Sequence, residues 1–486
     1  MKSSRREFLA AFAATAAMPA WGRPMAAFAC PGTWVGGFPI RAGYTGVDFV
    51  VRDEISGTIN AFPLGLSNAP LAVNCSQAGL SFAFTGRGGA GSFSGRIGHE
   101  TLTGSFNVSG VNQAATFVRS APHLQEEYDR LLGAYRSSEG DVLMIGRVPF
   151  SPKIALTNLT TGALRTLYPA PEGGYFHGRS FAVPSPVDGR VTVGADGRLS
   201  LRGSGGRLTA APIPARVEEV SITSDDGIVL VGTLRMPEGD GPFPTVVFAH
   251  GSGPADRHGF LSLQYFLPTF GIATLAYDKR GGGRSGGQYV HRFDRENFER
   301  LAKDLVAAIQ FVKARPRIDA SRVGLVGISQ AGWTLPIAAT LTPVAASVLI
   351  SGPPVAFGLE NDYSRLTGDG AGPGTLSQEE IERRIAATAP TGFDPQPYIR
   401  DMHMPALWLF GARDQSVPAR LCVAAVEQLR AAGQPNLEVK LYETGNHALW
   451  ETEHGTLPES PLVRRYVPGF FADLQHWLER HLIAVT

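Results

Sequence analysis

Three residues that could share one piece of chemistry each follow a short apolar run: Ser329, Asp414 and His447. Ser329 lies in Gly327-Ile328-Ser329-Gln330-Ala331, with the strand-like Val323 to Gly327 before it and the helix-like Gln330 to Leu341 after it. A strand, a sharp turn at serine and a helix present the hydroxyl as an exposed nucleophile. A serine hydroxyl attacks poorly at neutral pH, so it needs a histidine base whose ring a carboxylate holds. Asp414 stands in Phe410-Gly411-Ala412-Arg413-Asp414-Gln415-Ser416-Val417-Pro418, and His447 in Glu443-Thr444-Gly445-Asn446-His447-Ala448-Leu449. The predicted chemistry is acyl transfer through an acyl-enzyme. Ser329 attacks, His447 serves as base and then acid, and Asp414 orients the imidazole.

The G-x-S-x-[GA] pattern alone decides nothing here, because Ser67, Ser81 and Ser285 sit in the same pattern. Only Ser329 has both the strand and the helix. Ala331 departs from the glycine of the strict motif, and Pro336 is expected to kink the helix. His454 is the nearest rival to His447 but lies deeper in polar sequence, and Asp414 or His447 alone would read equally as a loop residue or a helix cap. Their order along the chain, at successive strand ends, is what joins them to Ser329. An oxyanion needs donors, and His250-Gly251-Ser252-Gly253-Pro254 follows an earlier apolar strand. The backbone N–H groups of Ser252 and Gln330 are the candidates. His250 reads as a loop-fixing hydrogen-bonder, not a base. The segment Tyr277 to Gly287 lacks the order of a phosphate-binding loop and reads as a structural turn with Arg280 paired to a carboxylate.

These residues need elements to place them. After Arg216, apolar runs such as Thr245 to Ala249, Ile272 to Tyr277, Ser347 to Ile350, Ala406 to Phe410 and Leu437 to Leu441 alternate with helix-period segments. One of the latter carries Phe298, Leu301, Leu305, Ala308, Ile309 and Val312. Alternating β and α points to a mostly parallel sheet covered on both faces, whose active residues lie beyond the carboxyl ends of its strands. Before Arg216, glycine-broken alternating runs such as Leu80-Ser81-Phe82-Ala83-Phe84 predict short antiparallel strands with no propeller period. Texture divides the chain into a leader (1–29), a β-rich module (30–122), a second β-rich segment ending in a linker over Ala210 to Pro214 (123–214), and an α/β domain (215–486) with a cap at about 353–403.

Length and composition agree with a multidomain globular chain: 486 residues, 43% hydrophobic and 18% charged. A net charge of +1 demotes nucleic acid as a partner. Cys30, Cys75 and Cys422 are too few and too far apart for a CxxC metal or redox site, so no metal or cofactor is expected. Cys75 and Cys422 could pair after export, but neither has a local partner and both are expected free. Ser4-Arg5-Arg6-Glu7-Phe8-Leu9 resembles a twin-arginine export signal, while Arg5-Arg6 also fits the basic start of an ordinary secretory signal. Phe8 to Trp21, broken by Pro19, falls short of the ~20 residues that span a bilayer. Ala27-Phe28-Ala29 offers a cleavage pattern and Cys30 a weaker lipidation signal, so the mature chain is expected in the periplasm or outside the cell.

Residues 217 to 483 resemble the α/β-hydrolase superfamily, close to its dienelactone-hydrolase-like and prolyl-oligopeptidase-like branch, through the HGSGP loop, the DKRGGGRSGG turn, GISQAGW, GARDQSVP and GNHAL in order. The resemblance implies an α/β-hydrolase fold with an eight-stranded sheet and a Ser329, Asp414 and His447 triad. Trp34-Val35-Gly36-Gly37 and Leu102-Thr103-Gly104-Ser105-Phe106 are similar to lipocalin-like sheet edges. The expected reaction is cleavage of carboxylic esters of a small acyl substrate. A peptidase or aminopeptidase stands second, and a ligand-binding protein with an inert hydrolase domain third. Peptidases of the branch usually add a propeller or acids that hold a substrate amine, and the cap acids Glu360, Asp362 and Asp369 follow no such spacing; a solvated face is their expected role. Trp333, Phe357 and Trp450 are the apolar candidates near the site, with core packing favoured for Trp333.

Overall fold

The computed structural model describes residues 30–484 except 77–78, 87–88, 123, 149–150, 373 and 375. The leader, with its arginine pair and cleavage pattern, lies outside the described residues. Eight antiparallel strands between Gly32 and Ser120 pair each with the next, and pairing of Thr33 with Ser120 closes them into a barrel. Alternation sends one side of each strand inward. Leu80, Phe82 and Phe84 join Trp34, Phe49, Phe93, Phe106 and Phe117 in a core that fills the interior. Such packing is how a small barrel closes without a chamber.

Cys30 and Cys75 form a disulfide with Cα atoms 6.1 Å apart, which corrects the expectation that Cys75 is free and leaves Cys30 no thiol for the lipidation that the sequence signals only weakly. The partners are 45 residues apart, so only barrel closure brings them together. Cys422 is free and buried.

A second closed barrel runs from Gly133 to Pro212. Its last strand, Gly206–Pro212, pairs with Leu199–Gly203 and with Gly133–Ser137, so the segment expected to begin a linker at Ala210 is instead the closing strand. Proline at the final strand position removes only a donor that the ladder end does not use.

The remaining strands make one eight-stranded sheet, numbered here from its own first strand: β1 Ala215–Thr223, β2 Val229–Pro237, β3 Phe243–Ala249, β4 Ala273–Tyr277, β5 Ile318–Ile328, β6 Ser347–Ile350, β7 Ala406–Gly411 and β8 Leu437–Tyr442. Their order is β1-β2-β4-β3-β5-β6-β7-β8. The β1–β2 and β2–β4 pairs are antiparallel and every other pair is parallel. This is the architecture of an α/β-hydrolase domain. Both faces are covered: in β7, Ala406, Trp408 and Phe410 face one core while Leu407 and Leu409 face the other. Helix α1, Arg295–Lys313, buries Phe298, Leu305, Ile309 and Val312 on one stripe, and Asp294 caps it by accepting from Asn297 N at 3.0 Å.

The barrels are tied to the sheet by the stretch that follows His447. Phe181 N donates to Val463 O at 2.6 Å, Leu164 N to Arg464 O at 3.0 Å, and Tyr466 N to Gly162 O at 2.9 Å. The Phe181 ring lies 4.7 Å from that of Trp450. Trp450 therefore packs in this junction. The second barrel buttresses the loop that carries the histidine.

Candidate active site

The strand β5 ends at a turn where Ser329 takes a φ of 54°. A left-handed serine is costly, and the turn is held by Ser329 N donating to Ile350 O at 3.0 Å and Gly332 N donating to Ser329 O at 2.8 Å. Helix α2, Ala331–Leu341, starts at once. Such a tight exit requires small residues: a Cβ on Gly327 would lie 2.5 Å from the Ala331 Cβ, and one on Gly332 would lie 2.4 Å from Pro353 N. Trp333 is buried, donates to Val355 O at 3.0 Å and stacks on Phe298, so it packs the core behind the turn.

Asp414 follows β7 and is 1% exposed. Its Oδ1 accepts from Ser416 N and Val417 N, both at 2.8 Å, leaving Oδ2 to accept from His447 Nδ1 at 2.7 Å. Burial alone would lower the His447 pKa, but the charge and hydrogen bond of Asp414 outweigh it and the net shift is upward. Ser351, in a left-handed conformation after β6, donates its Oγ to His447 O at 2.8 Å and its N–H to Leu409 O at 2.8 Å. Sequence reading missed this brace, which no motif marks. No hydrogen bond joins Ser329 Oγ to His447 in this state; such bonds are often long until substrate binds. The rival His454 lies on the surface beside Glu453, 3.8 Å away, and its backbone N–H is held by Glu459.

The loop after β3 comes to the serine. A Cβ on Gly251 would lie 3.4 Å from the Ser329 Cβ. The backbone N–H groups of Ser252 and Gln330 donate to no acceptor among the described residues; Ser252 is exposed, whereas Gln330 is 2% exposed, so the burial argument applies to Gln330. Buried N–H groups are rarely left unpaired, because each costs roughly 1–3 kcal/mol without a partner. His250 is buried and its pKa is pushed down to about 3 by burial and then by Lys279. The ring is therefore neutral, and its Nε2 donates to Tyr277 O at 2.6 Å, since a carbonyl can only accept.

Lys279 is buried beside the same loop. Its Nζ donates to Gly251 O at 2.8 Å and to Gln330 Oε1 at 2.6 Å, and burial lowers its pKa to about 7. The rest of the Tyr277 to Gly287 segment is an ion-paired turn. Arg280 Nε and Nη2 donate to Asp304 at 2.9 and 2.6 Å, and Asp278 accepts from Arg257 Nη2 at 2.7 Å.

Helix α3, Phe357–Thr367, and helix α4, Gln378–Ala386, lie in the segment between β6 and β7. Tyr363 OH donates to Asp414 O at 2.7 Å, and Ser416 Oγ donates to Asp369 Oδ1 at 2.5 Å. Glu360 is half-buried rather than on a solvated face, and its carboxyl makes no hydrogen bond or ion pair among the described residues. Burial raises its pKa to about 8, with His447 opposing and Asp414 and Asp369 adding to the rise. Asp362 faces Arg365 at 3.9 Å. Phe357 stacks on Phe293 at 5.0 Å. Among the described residues no group of three His, Cys, Asp or Glu side chains could hold a metal ion, and no helix is long and apolar enough to cross a membrane.

Residues 259–467 match the model of the prolyl oligopeptidase family. Ser329, Asp414 and His447 all fall inside that span. Over that span the chain is a prolyl-oligopeptidase-like serine hydrolase. The chain is similar to the esterase EstD of Thermotoga maritima, 26% identical over 295 residues that cover 54% of this chain and 68% of that one. It is also similar to dipeptidyl-peptidase 5 of Porphyromonas gingivalis, 23% identical over 269 residues, but spans only 37% of that protein's length. An esterase structure from Pyrococcus furiosus aligns over 55% of this chain and 94% of its own at 19% identity, with a TM-score of 0.40. The hydrolase thus has both ester-cleaving and peptide-cleaving relatives.

Proposed function

We propose that the hydrolase cleaves carboxylic esters through an acyl-enzyme formed on Ser329. Ser329 Oγ attacks the ester carbonyl while its proton passes to His447 Nε2. The N–H groups of Ser252 and Gln330 receive the oxyanion, and the imidazolium is held by Asp414. His447 returns the proton to the departing alkoxide. Water then repeats the sequence, releasing the acid and restoring Ser329. The observation that carries this reading is the pair of unoccupied backbone donors beside a left-handed serine, at the sheet end where Asp414 holds His447.

Ester preference rests on the cap. Glu360 has its pKa raised to about 8, so near neutral pH it is largely protonated and offers a poor counter-charge to a substrate amine. Asp362 and Asp369 are engaged by Arg365 and Ser416. Esters also expel a better leaving group than amides, so a generic pocket serves them. One observation favours a peptidase instead: the Glu360 carboxyl is unpartnered and electrically coupled to His447. The test is kcat/KM for p-nitrophenyl acyl esters against aminoacyl and dipeptidyl p-nitroanilides. Higher values for the esters are expected; preference for the anilides, lost in Glu360→Gln, would establish the peptidase.

We infer further that the hydrolase works outside the cytoplasm, in the periplasm or beyond, after export through the Arg5-Arg6 leader. The Cys30–Cys75 disulfide supports this, because such bonds persist in oxidising compartments. Substituting lysines for Arg5 and Arg6 should hold precursor inside the cell; unchanged export would point to the general secretory route.

A further inference from the structure

A cavity of about 490 Å³ lies between the second barrel and the sheet, away from Ser329. Its sheet wall is Arg235, which pairs in register with Thr274 at the start of β4. The loops that carry the candidate active site follow the other end of those parallel strands, so the two sites lie at opposite ends of the sheet. The barrel wall comprises Leu131, Leu132, the turn at Ala195, and Ile213. The size falls within the ~300–1,000 Å³ usual for small-molecule sites, and the junction of two modules is a usual place for one.

The charges are one-sided. The cavity is lined by Arg235 and the exposed Arg130 and by no Asp or Glu. Arg235 lies over the Tyr265 ring, 4.7 Å from its centroid, and its buried Nε has no hydrogen-bond partner. Among the described residues neither Arg130 nor Arg235 forms an ion pair through its side chain, and the adjacent Asp129 is engaged by Arg147. Burial lowers the Arg235 pKa, with Tyr265 opposing the shift. An arginine held in a low-dielectric wall by stacking alone retains donors that an oxyanion can satisfy, and its planar fork suits a two-oxygen acceptor. The aliphatic side chains opposite call for an apolar body on that acceptor.

We propose that this cavity is a binding site for a small organic carboxylate with an apolar tail, its carboxylate on Arg235 and Arg130 and its tail against Leu131, Leu132 and Ile213. The site is separate from the candidate active site and does not depend on the ester reading. Calorimetric titration of the purified full chain with octanoate, octanamide and inorganic phosphate tests it. Saturable octanoate binding is expected, with octanamide and phosphate each at least about tenfold weaker, the ratio that one charge-assisted hydrogen bond supplies. Arg235→Met should lower octanoate affinity by a similar factor. Ala195→Trp, on an exposed turn of the barrel, should block the cavity without removing a buried side chain, which covers the case of a misfolded Arg235 variant. Ser329→Ala should bind octanoate as wild type does. Equal binding of octanamide, tighter binding of phosphate, no binding of octanoate, or octanoate affinity unchanged in folded Arg235→Met and Ala195→Trp would each overturn the proposal.

Discussion

Lys279 Nζ donates to Gln330 Oε1 at 2.6 Å while also donating to Gly251 O at 2.8 Å, so one buried side-chain nitrogen ties together the two backbone segments that carry the candidate oxyanion donors. The clamp sets the spacing of the Ser252 and Gln330 N–H groups without itself pointing to a substrate. Lys279→Met keeps most of the buried stem and removes both bonds. Since losing one oxyanion donor outright costs about 10²–10³ in kcat, loosening the pair is expected to lower kcat by roughly ten- to a hundredfold with a smaller change in KM. Steady-state kinetics on a p-nitrophenyl ester checks this; an unchanged kcat in a folded variant would remove Lys279 from the account.

In the proposed mechanism His447 must be neutral to accept the Ser329 proton. Asp414 raises the His447 pKa above its ordinary 6.5, so kcat/KM should rise with pH through a midpoint above 6.5. Asp414→Asn should move that midpoint down and lower kcat on the order of 10⁴-fold, as loss of the orienting carboxylate does in other serine triads. A pH profile of both proteins decides it.

Glu360 makes a stability prediction with a definite sign. Its carboxyl has an ordinary pKa of 4.5 and one of about 8 in the folded chain, so between those values the folded state binds the extra proton. Stability from this group is present below about 4.5 and lost as pH rises through about 8. Glu360→Gln should flatten that decline, read as the dependence of Tm on pH between the two values.

The disulfide should act on the barrel and not on turnover. Closing a 45-residue span restricts the unfolded chain by about 4 kcal/mol in the chain-entropy model. Cys75→Ser should lower the denaturation midpoint of the first barrel while leaving kcat on small esters within about twofold. Denaturant titrations with and without reductant measure it.

The sheet was legible in the sequence because fully buried parallel strands read as unbroken apolar runs: Thr245 to Ala249 and Ala406 to Phe410 sit inside β3 and β7. The first barrel was legible only as short alternating strands, since closure depends on Thr33 meeting Ser120 across the whole module. Pro212 disguised the strand that closes the second barrel. Cys30 and Cys75 carried no local cue to each other. At the candidate site, the serine turn is written in contiguous small residues, whereas Ser351, Lys279 and Glu360 reach it only through the crossing of distant loops. Lys279 and Glu360 stand in segments the sequence marks, but no spacing rule assigns any of the three its place at the site.

The central claim is that Ser329 is the nucleophile, and intact-protein mass spectrometry after treatment with a fluorophosphonate measures it most directly. Wild type should gain one adduct that maps to Ser329, and Ser329→Ala should gain none. A well-folded wild type that stays unlabelled, or a Ser329→Ala variant labelled to the same extent, would contradict the account.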